Sequence, residues 1–162
     1  MTIHQLHNRD WGYETNCFVC APDNRAGLRI PFFHDDTSDM VFADLALGEA
    51  YSSAPTILHG GVLLALLDEA QAWACIAVGG RFALTTRTTS EFSSVLMVDT
   101  PYRVEARLNH ATERKITTDG RIVDSDGAVH VTSTSEFAVL SEAMLERTVG
   151  LEATEGVQEH LR

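Results

Sequence analysis

Hydrophobic and polar positions change period twice along this chain, and the changes divide it into three stretches. Two short apolar runs come first, "LRIPFF" at 28–33 and "DMVFADLAL" at 39–47, each bounded by turn formers and each read as a strand. A loop of small residues, "GEAYSSAPT", follows. From about 59 to 77 the spacing becomes helical, with Leu63, Leu66, Leu67, Ala70, Trp73, Ala74 and Ala77 in one stripe. The opposite side carries Ala65, Ala72, Cys75 and Ile76, so the helix is apolar nearly all round and is expected to be buried. Gly79 and Gly80 end it. Beyond them the pattern alternates and is rich in Thr, Phe and Val, which predicts three or four antiparallel strands. Two Asp-Gly pairs, Asp119-Gly120 and Asp126-Gly127, are read as hairpin turns between them.

These elements predict an α+β domain with an antiparallel sheet of five to six strands wrapped around one long buried helix. One domain of residues 1–162 is expected, with its core at about 16–140. Residues 1–15 form an arm or short helix, and residues 141–162 a short helix and tail. A sheet wrapped on a single helix leaves an edge open, so edge-to-edge dimerisation is expected.

Composition narrows the function classes. The chain has 162 residues, 44% of them apolar and 22% charged, as in ordinary globular proteins. No uncharged apolar run reaches the roughly 18 residues a membrane span needs, and the N-terminal residues lack the apolar stretch of a secretory signal. No membrane partner and a cytoplasmic location are therefore expected. The net charge of −11 argues against nucleic acid, which rewards clustered Lys and Arg. Seven of the twelve basic residues nevertheless fall between Arg81 and Arg121, a window with five acids, where an anionic small molecule could be held. Cys17, Cys20 and Cys75 are an odd count. "CFVC" alone supplies two of a zinc ion's four ligands, with only His4 and His7 near in sequence, so free thiols and no metal or cofactor are expected.

The chemistry concentrates at "HGGVLLALLDEA", residues 59–70. Asp68 and Glu69 are the only acids between Ala50 and Gly80, a stretch without Lys or Arg. On a helical wheel Asp68 lies opposite the Leu stripe, among Leu64, Ala65, Gln71, Ala72 and Cys75. Burial there would raise its pKa and poise it as a base or nucleophile; the alternative is a carboxylate that reaches water through a gap. The two adjacent acids point about 100° apart, so one of them is expected to matter. Gly60 and Gly61 open the helix, where unpaired N–H groups carry the positive end of the dipole and could cradle a carbonyl oxygen. They could equally serve only a tight entry turn. Gly60 and Asp68 are eight residues apart, roughly 12 Å along a helix, so one carbonyl cannot touch both in one chain. If they cooperate, the site is shared between two subunits.

"HGGVLLALLDEA" resembles the helix signature of hotdog-fold thioesterases, in particular the PaaI-like branch, which has an acid nine residues after the histidine; here that acid is Asp68. "CFVCAPDNRAGL" is similar to the lead-in of many such proteins, and "LTTRTTSEFSSV" occupies the place of their post-helix strand. The resemblance covers roughly residues 16–140. It implies a hotdog fold and hydrolysis of an acyl-CoA or other acyl thioester by a homodimer or a dimer of dimers. It implies Asp68 as general base or nucleophile, and the Gly60 N–H of the partner subunit as oxyanion donor. Thr85 or Thr86 would position the nucleophile, and His59 would orient the loop or help polarise the thioester. Ser53 stands where relatives carry Asn or Gln beside the oxyanion hole, and Gly61 adjoins it. The Arg-Pro or Lys-Pro that often follows the strand's aromatic is replaced after Phe92 by Ser93, Ser94 and Val95; Arg87, with Arg81 or Arg114, is a substitute contact for the CoA phosphates. Phe92, Leu64 and Trp73 would shape the acyl pocket. The alternative is a non-catalytic acyl-thioester binding protein on the same scaffold. A hydratase is disfavoured, since the downstream Asp–His loop pattern of that class is not found.

Overall fold

The computed structural model describes residues 2–11 and 15–149. Its strands, in chain order, are β1 (Ile3–Leu6), β2 (Phe32–Asp35), β3 (Met40–Leu45), β4 (Ser52–Ala54), β5 (Ile57–Leu58), β6 (Ala83–Phe92), β7 (Tyr102–Ala111), β8 (Lys115–Asp124) and β9 (Val129–Val139). The helices are α1 (Gly60–Ala77) and α2 (Glu142–Val149). Seven strands form one antiparallel sheet in the order β1-β2-β3-β7-β8-β9-β6, and β4 and β5 make a small separate ribbon. The sheet wraps around α1, which packs on β7, β8, β3 and β6. By length and composition α1 could cross a membrane; here it is the core of the sheet.

The strand count exceeds the expected five to six because the N-terminal arm contributes β1, paired to β2 from Ile3↔Asp35 to Leu6↔Phe32. Its four residues are mostly exposed, so they carry little apolar alternation to read. Residues 150–162, the expected tail, lie outside the described residues.

The helical stripe is where the core forms. Leu63, Leu66, Leu67, Ala70, Trp73 and Ala74 are buried with Phe32, Val41, Val104, Ile122 and Val131. Leu66 and Leu67 are completely buried, each contributing about 1.5–3 kcal/mol of transfer free energy.

Of the two Asp-Gly pairs only the second is a turn. Gly127 has φ +82° and joins β8 to β9 in a tight loop braced by Asp124, whose Oδ1 accepts from the Asp126 and Ala128 N–H groups. Asp119-Gly120 lies in mid-β8, with Gly120 paired to Ala106 and Ser133. Gly120 serves close approach instead: a Cβ there would stand 3.1 Å from Gln71 Cδ and 3.2 Å from Leu67 Cδ2 on α1. Asp119 bonds across the sheet to Asn109 and Thr134.

β6 ends the sheet. Eight of its ten residues are exposed, a long free edge of the kind that globular proteins normally cover. Exposed Leu64, Leu84, Phe92, Val95 and Met97 lie on α1, on β6 or just beyond it.

Candidate active site

α1 begins with a histidine cap. His59 is extended (φ −70°, ψ 126°), and its Nδ1 accepts the Gly61 N–H at 2.9 Å. The Gly61 amide is therefore taken by its own chain, while the Gly60 N–H has no hydrogen-bond partner among the described residues. The Phe92 ring lies over this helix start; a Cβ on Gly60 would stand 3.7 Å from two of its carbons. A free amide at the positive end of a helix, next to an exposed aromatic, suits a developing oxyanion.

Two turns further on, Asp68 emerges half-buried, and Thr85 Oγ1 donates to its Oδ1 at 2.7 Å. A β-bulge makes this aim possible. The β6–β9 register shifts between Thr85 and Arg87, so Thr85 opposes Phe137 and Arg87 opposes Glu136. Thr86, within the bulge, donates to the Glu136 carbonyl at 3.0 Å. Thr85 and Thr86 thus part company: the first meets the acid and the second closes the sheet. Arg87 is exposed beside Glu136, and Ser53 is exposed on β4. The structure therefore gathers His59, Gly60, Gly61 and Phe92 at the helix start, Asp68 and Thr85 at its middle, and Thr86 and Arg87 against β9. No described contact joins the first group to the second.

A profile of the thioesterase superfamily matches residues 56–130, which contain α1, Asp68 and Thr85. A solved thioesterase superfamily protein superposes with a TM-score of 0.71 and 27% identity, over 76% of this chain and 60% of its own length. The chain is thus similar to the thioesterase superfamily, in sequence over residues 56–130 and in fold over a larger part. It is similar in fold to a hypothetical thioesterase protein from Streptococcus pneumoniae TIGR4 solved with coenzyme A (TM-score 0.60, 17% identity, 63% of this chain and 79% of that one). It is also similar in fold to the E. coli PaaI protein of the phenylacetic acid degradation operon (0.60, 18%, 64% and 74%). No curated protein sequence matches the chain significantly.

Glu69, the next residue on α1, has different surroundings from Asp68. Glu69 is the acid that burial pushes up, to about 8, with the Cys17 sulfur beside it adding to the effect. It turns to the other side of α1, where the Cys17 thiol donates to its Oε2 at 3.4 Å. The Cys17 thiol is held well below the usual range, chiefly by the Cys20 thiol donating to it, with help from the Cys20 and Val19 N–H groups; the Cys20 thiol is correspondingly raised. Cys75 is buried in α1 and pushed up to about 12 by desolvation.

Two polar groups escaped the sequence reading. Gln71 is fully buried: its Nε2 donates to the Thr118 carbonyl at 3.1 Å, and its Oε1 accepts from Ser133 and Ser135. In sequence it was one polar residue on an apolar wheel, with no sign that β8 and β9 would satisfy it. Ser94, His130 and Asp124 form a chain, with Ser94 Oγ 2.7 Å from His130 Nδ1 and His130 Nε2 2.9 Å from Asp124 Oδ2. The imidazole nitrogens are reversed relative to a serine-hydrolase triad. The Ser93 and Ser94 N–H groups, candidate oxyanion donors, are spent on the His130 carbonyl. We read this group as a clasp that fixes the loop after β6. A surface hollow of about 640 Å³ is lined by residues such as Asp44, Tyr102, Arg103 and Asp124 and contains none of the candidate catalytic residues.

Proposed function

We propose that this protein hydrolyses an acyl-CoA, or another acyl thioester, as a PaaI-like thioesterase, with Asp68 as general base or nucleophile. The single observation that carries the reading is the 2.7 Å bond from Thr85 to Asp68, which holds one oxygen of a half-buried carboxylate and leaves the other free. As base, that oxygen takes a proton from water while the water oxygen attacks the thioester carbon. The carbonyl oxygen gains the negative charge and is met by the Gly60 N–H of a partner subunit. The C–S bond then breaks, and the proton passes to the departing thiolate.

The partner subunit is required because Gly60 and Asp68 are roughly 12 Å apart on one helix. The free β6 edge and the apolar residues around it support antiparallel β6–β6 pairing of two copies. Coenzyme A in the Streptococcus pneumoniae neighbour supports a CoA thioester as substrate. Ser53, Phe92 and Arg87 are assigned to substrate contact, and His59 to orienting the helix entry through its cap on Gly61.

Thiol release from a panel of acyl-CoAs tests the reading. Asp68→Ala abolishes turnover, whereas Glu69→Gln stays within about tenfold of wild type. Equal rates for Asp68→Ala and wild type, or no turnover of any thioester with CoA still bound, overturn it.

A further inference from the structure

The hydrolase reading leaves the cysteine pair and Glu69 without a role, although the three converge from distant parts of the chain. Cys17 Sγ, Cys20 Sγ and a Glu69 carboxylate oxygen all lie within 4.8 Å of one another. We propose that Cys17, Cys20 and Glu69 form a binding site for a zinc-class divalent ion, joining the segment before β2 to the middle of α1.

Three observations carry this. The first is geometry. Sulfurs about 2.3 Å and an oxygen about 2.1 Å from a tetrahedral ion stand roughly 3.6–3.8 Å apart. The Cys17–Glu69 separation of 3.4 Å is already close to that, and no two of the three donor atoms are more than 4.8 Å apart. The second is backbone preparation. The Val19 and Cys20 N–H groups both point at Cys17 Sγ, at 3.3 and 3.4 Å, so the Cys17–Cys20 turn presents this sulfur as an anion acceptor before any ion arrives. The third is charge. Glu69 is half-buried and has no ion-pair partner among the described residues, while the Cys17 and Cys20 sulfurs stand beside it. Three acidic groups crowded together without a cation cannot all ionise, and a divalent ion relieves that repulsion.

The donor set selects the metal class. Two thiolates exclude magnesium and calcium, which take oxygen ligands, and favour zinc. On binding, each ligating thiol gives up its proton to solvent, so metal uptake acidifies a weakly buffered solution. A cavity of about 170 Å³ adjoins Cys20, lined also by His7 and Asn8, and gives room for a water as fourth ligand. The ion ties the 17–20 turn to the residue next to Asp68, so its expected effect is to hold α1 in place rather than to react.

The test uses the full chain, reduced and freed of metal, titrated with Co(II) as a spectroscopic probe. The expected result is one equivalent per chain with thiolate-to-cobalt charge-transfer absorption, displaced by Zn(II). Cys17→Ser and Cys20→Ser remove that absorption; Glu69→Gln keeps it and weakens binding at least tenfold. Thiol titration of the wild type gives a result even if the variants fail to fold: Zn(II) slows reaction of two of its three cysteines. Cobalt bound without thiolate bands, no saturable uptake, unchanged thiol reactivity, or a Cys17–Cys20 disulfide that forms in the presence of Zn(II) overturns the proposal. None of these readouts depends on catalysis, so failure here leaves the thioesterase reading standing, and the reverse also holds.

Discussion

Asp68 and Glu69 are adjacent on α1, carry the same charge in water, and meet opposite surroundings. Asp68 turns toward the free edge of the sheet, takes one hydrogen bond from Thr85, and keeps neighbours that are small or exposed. Glu69 turns toward the N-terminal segment, is half-buried against sulfur, and is pushed up to about 8. The 100° step between neighbouring helical residues is enough to place one acid beside the free edge of the sheet and the other in a seam with the N-terminal segment. Placement, rather than residue type, separates their roles. An acid available for reaction needs an open side and a single positioning bond; an acid that fastens two segments needs burial and several partners.

The largest expected effect breaks the comparison on the Asp68 side. Asp68→Ala lowers kcat/KM for the best acyl-CoA by about 10²–10⁴, the usual worth of a general base, while the melting temperature moves little. Next is Gln71, which occupies a third direction on the same helix. Gln71→Ala leaves the Ser133 and Ser135 hydroxyls without their acceptor and opens a void, costing about 2–4 kcal/mol of stability in urea denaturation. A third prediction loads the Glu69 side. Zn(II) at a hundredfold excess over its dissociation constant stabilises the chain by about 2.7 kcal/mol, visible as a rise in melting temperature that chelator reverses and that Glu69→Gln shrinks. The smallest effect sharpens the Asp68 side again. Thr85→Val removes the one bond that aims the carboxylate and lowers kcat/KM roughly tenfold, whereas Thr86→Val, which only loses a bond to a β9 carbonyl, changes it less.

Much of this was legible in advance. The stripe residues from Leu63 to Ala74 are all buried, because a helix inside a wrapped sheet must be apolar at the period of 3.6. The acid at Asp68 and the glycines at 60 and 61 stand out because they interrupt that pattern. Three features did not show. β1 was hidden because four exposed residues at a sheet edge need no apolar alternation. Gly120 resembled a turn because Asp-Gly is a turn signal, yet it is glycine because the helix comes too close for a side chain. The choice between Thr85 and Thr86 was open because a bulge, which leaves no compositional trace, shifts the alternation by one residue.

By itself the sequence determined the buried helix, the switch to alternating strands after Gly80, and the two acids as chemical exceptions, since each follows from periodicity within a short window. Only the tertiary structure decided what each acid faces. Thr85 is 17 residues from Asp68, and Cys17 is 52 residues from Glu69. Contacts over such separations depend on how strands order and bend around the helix, and no local pattern records that.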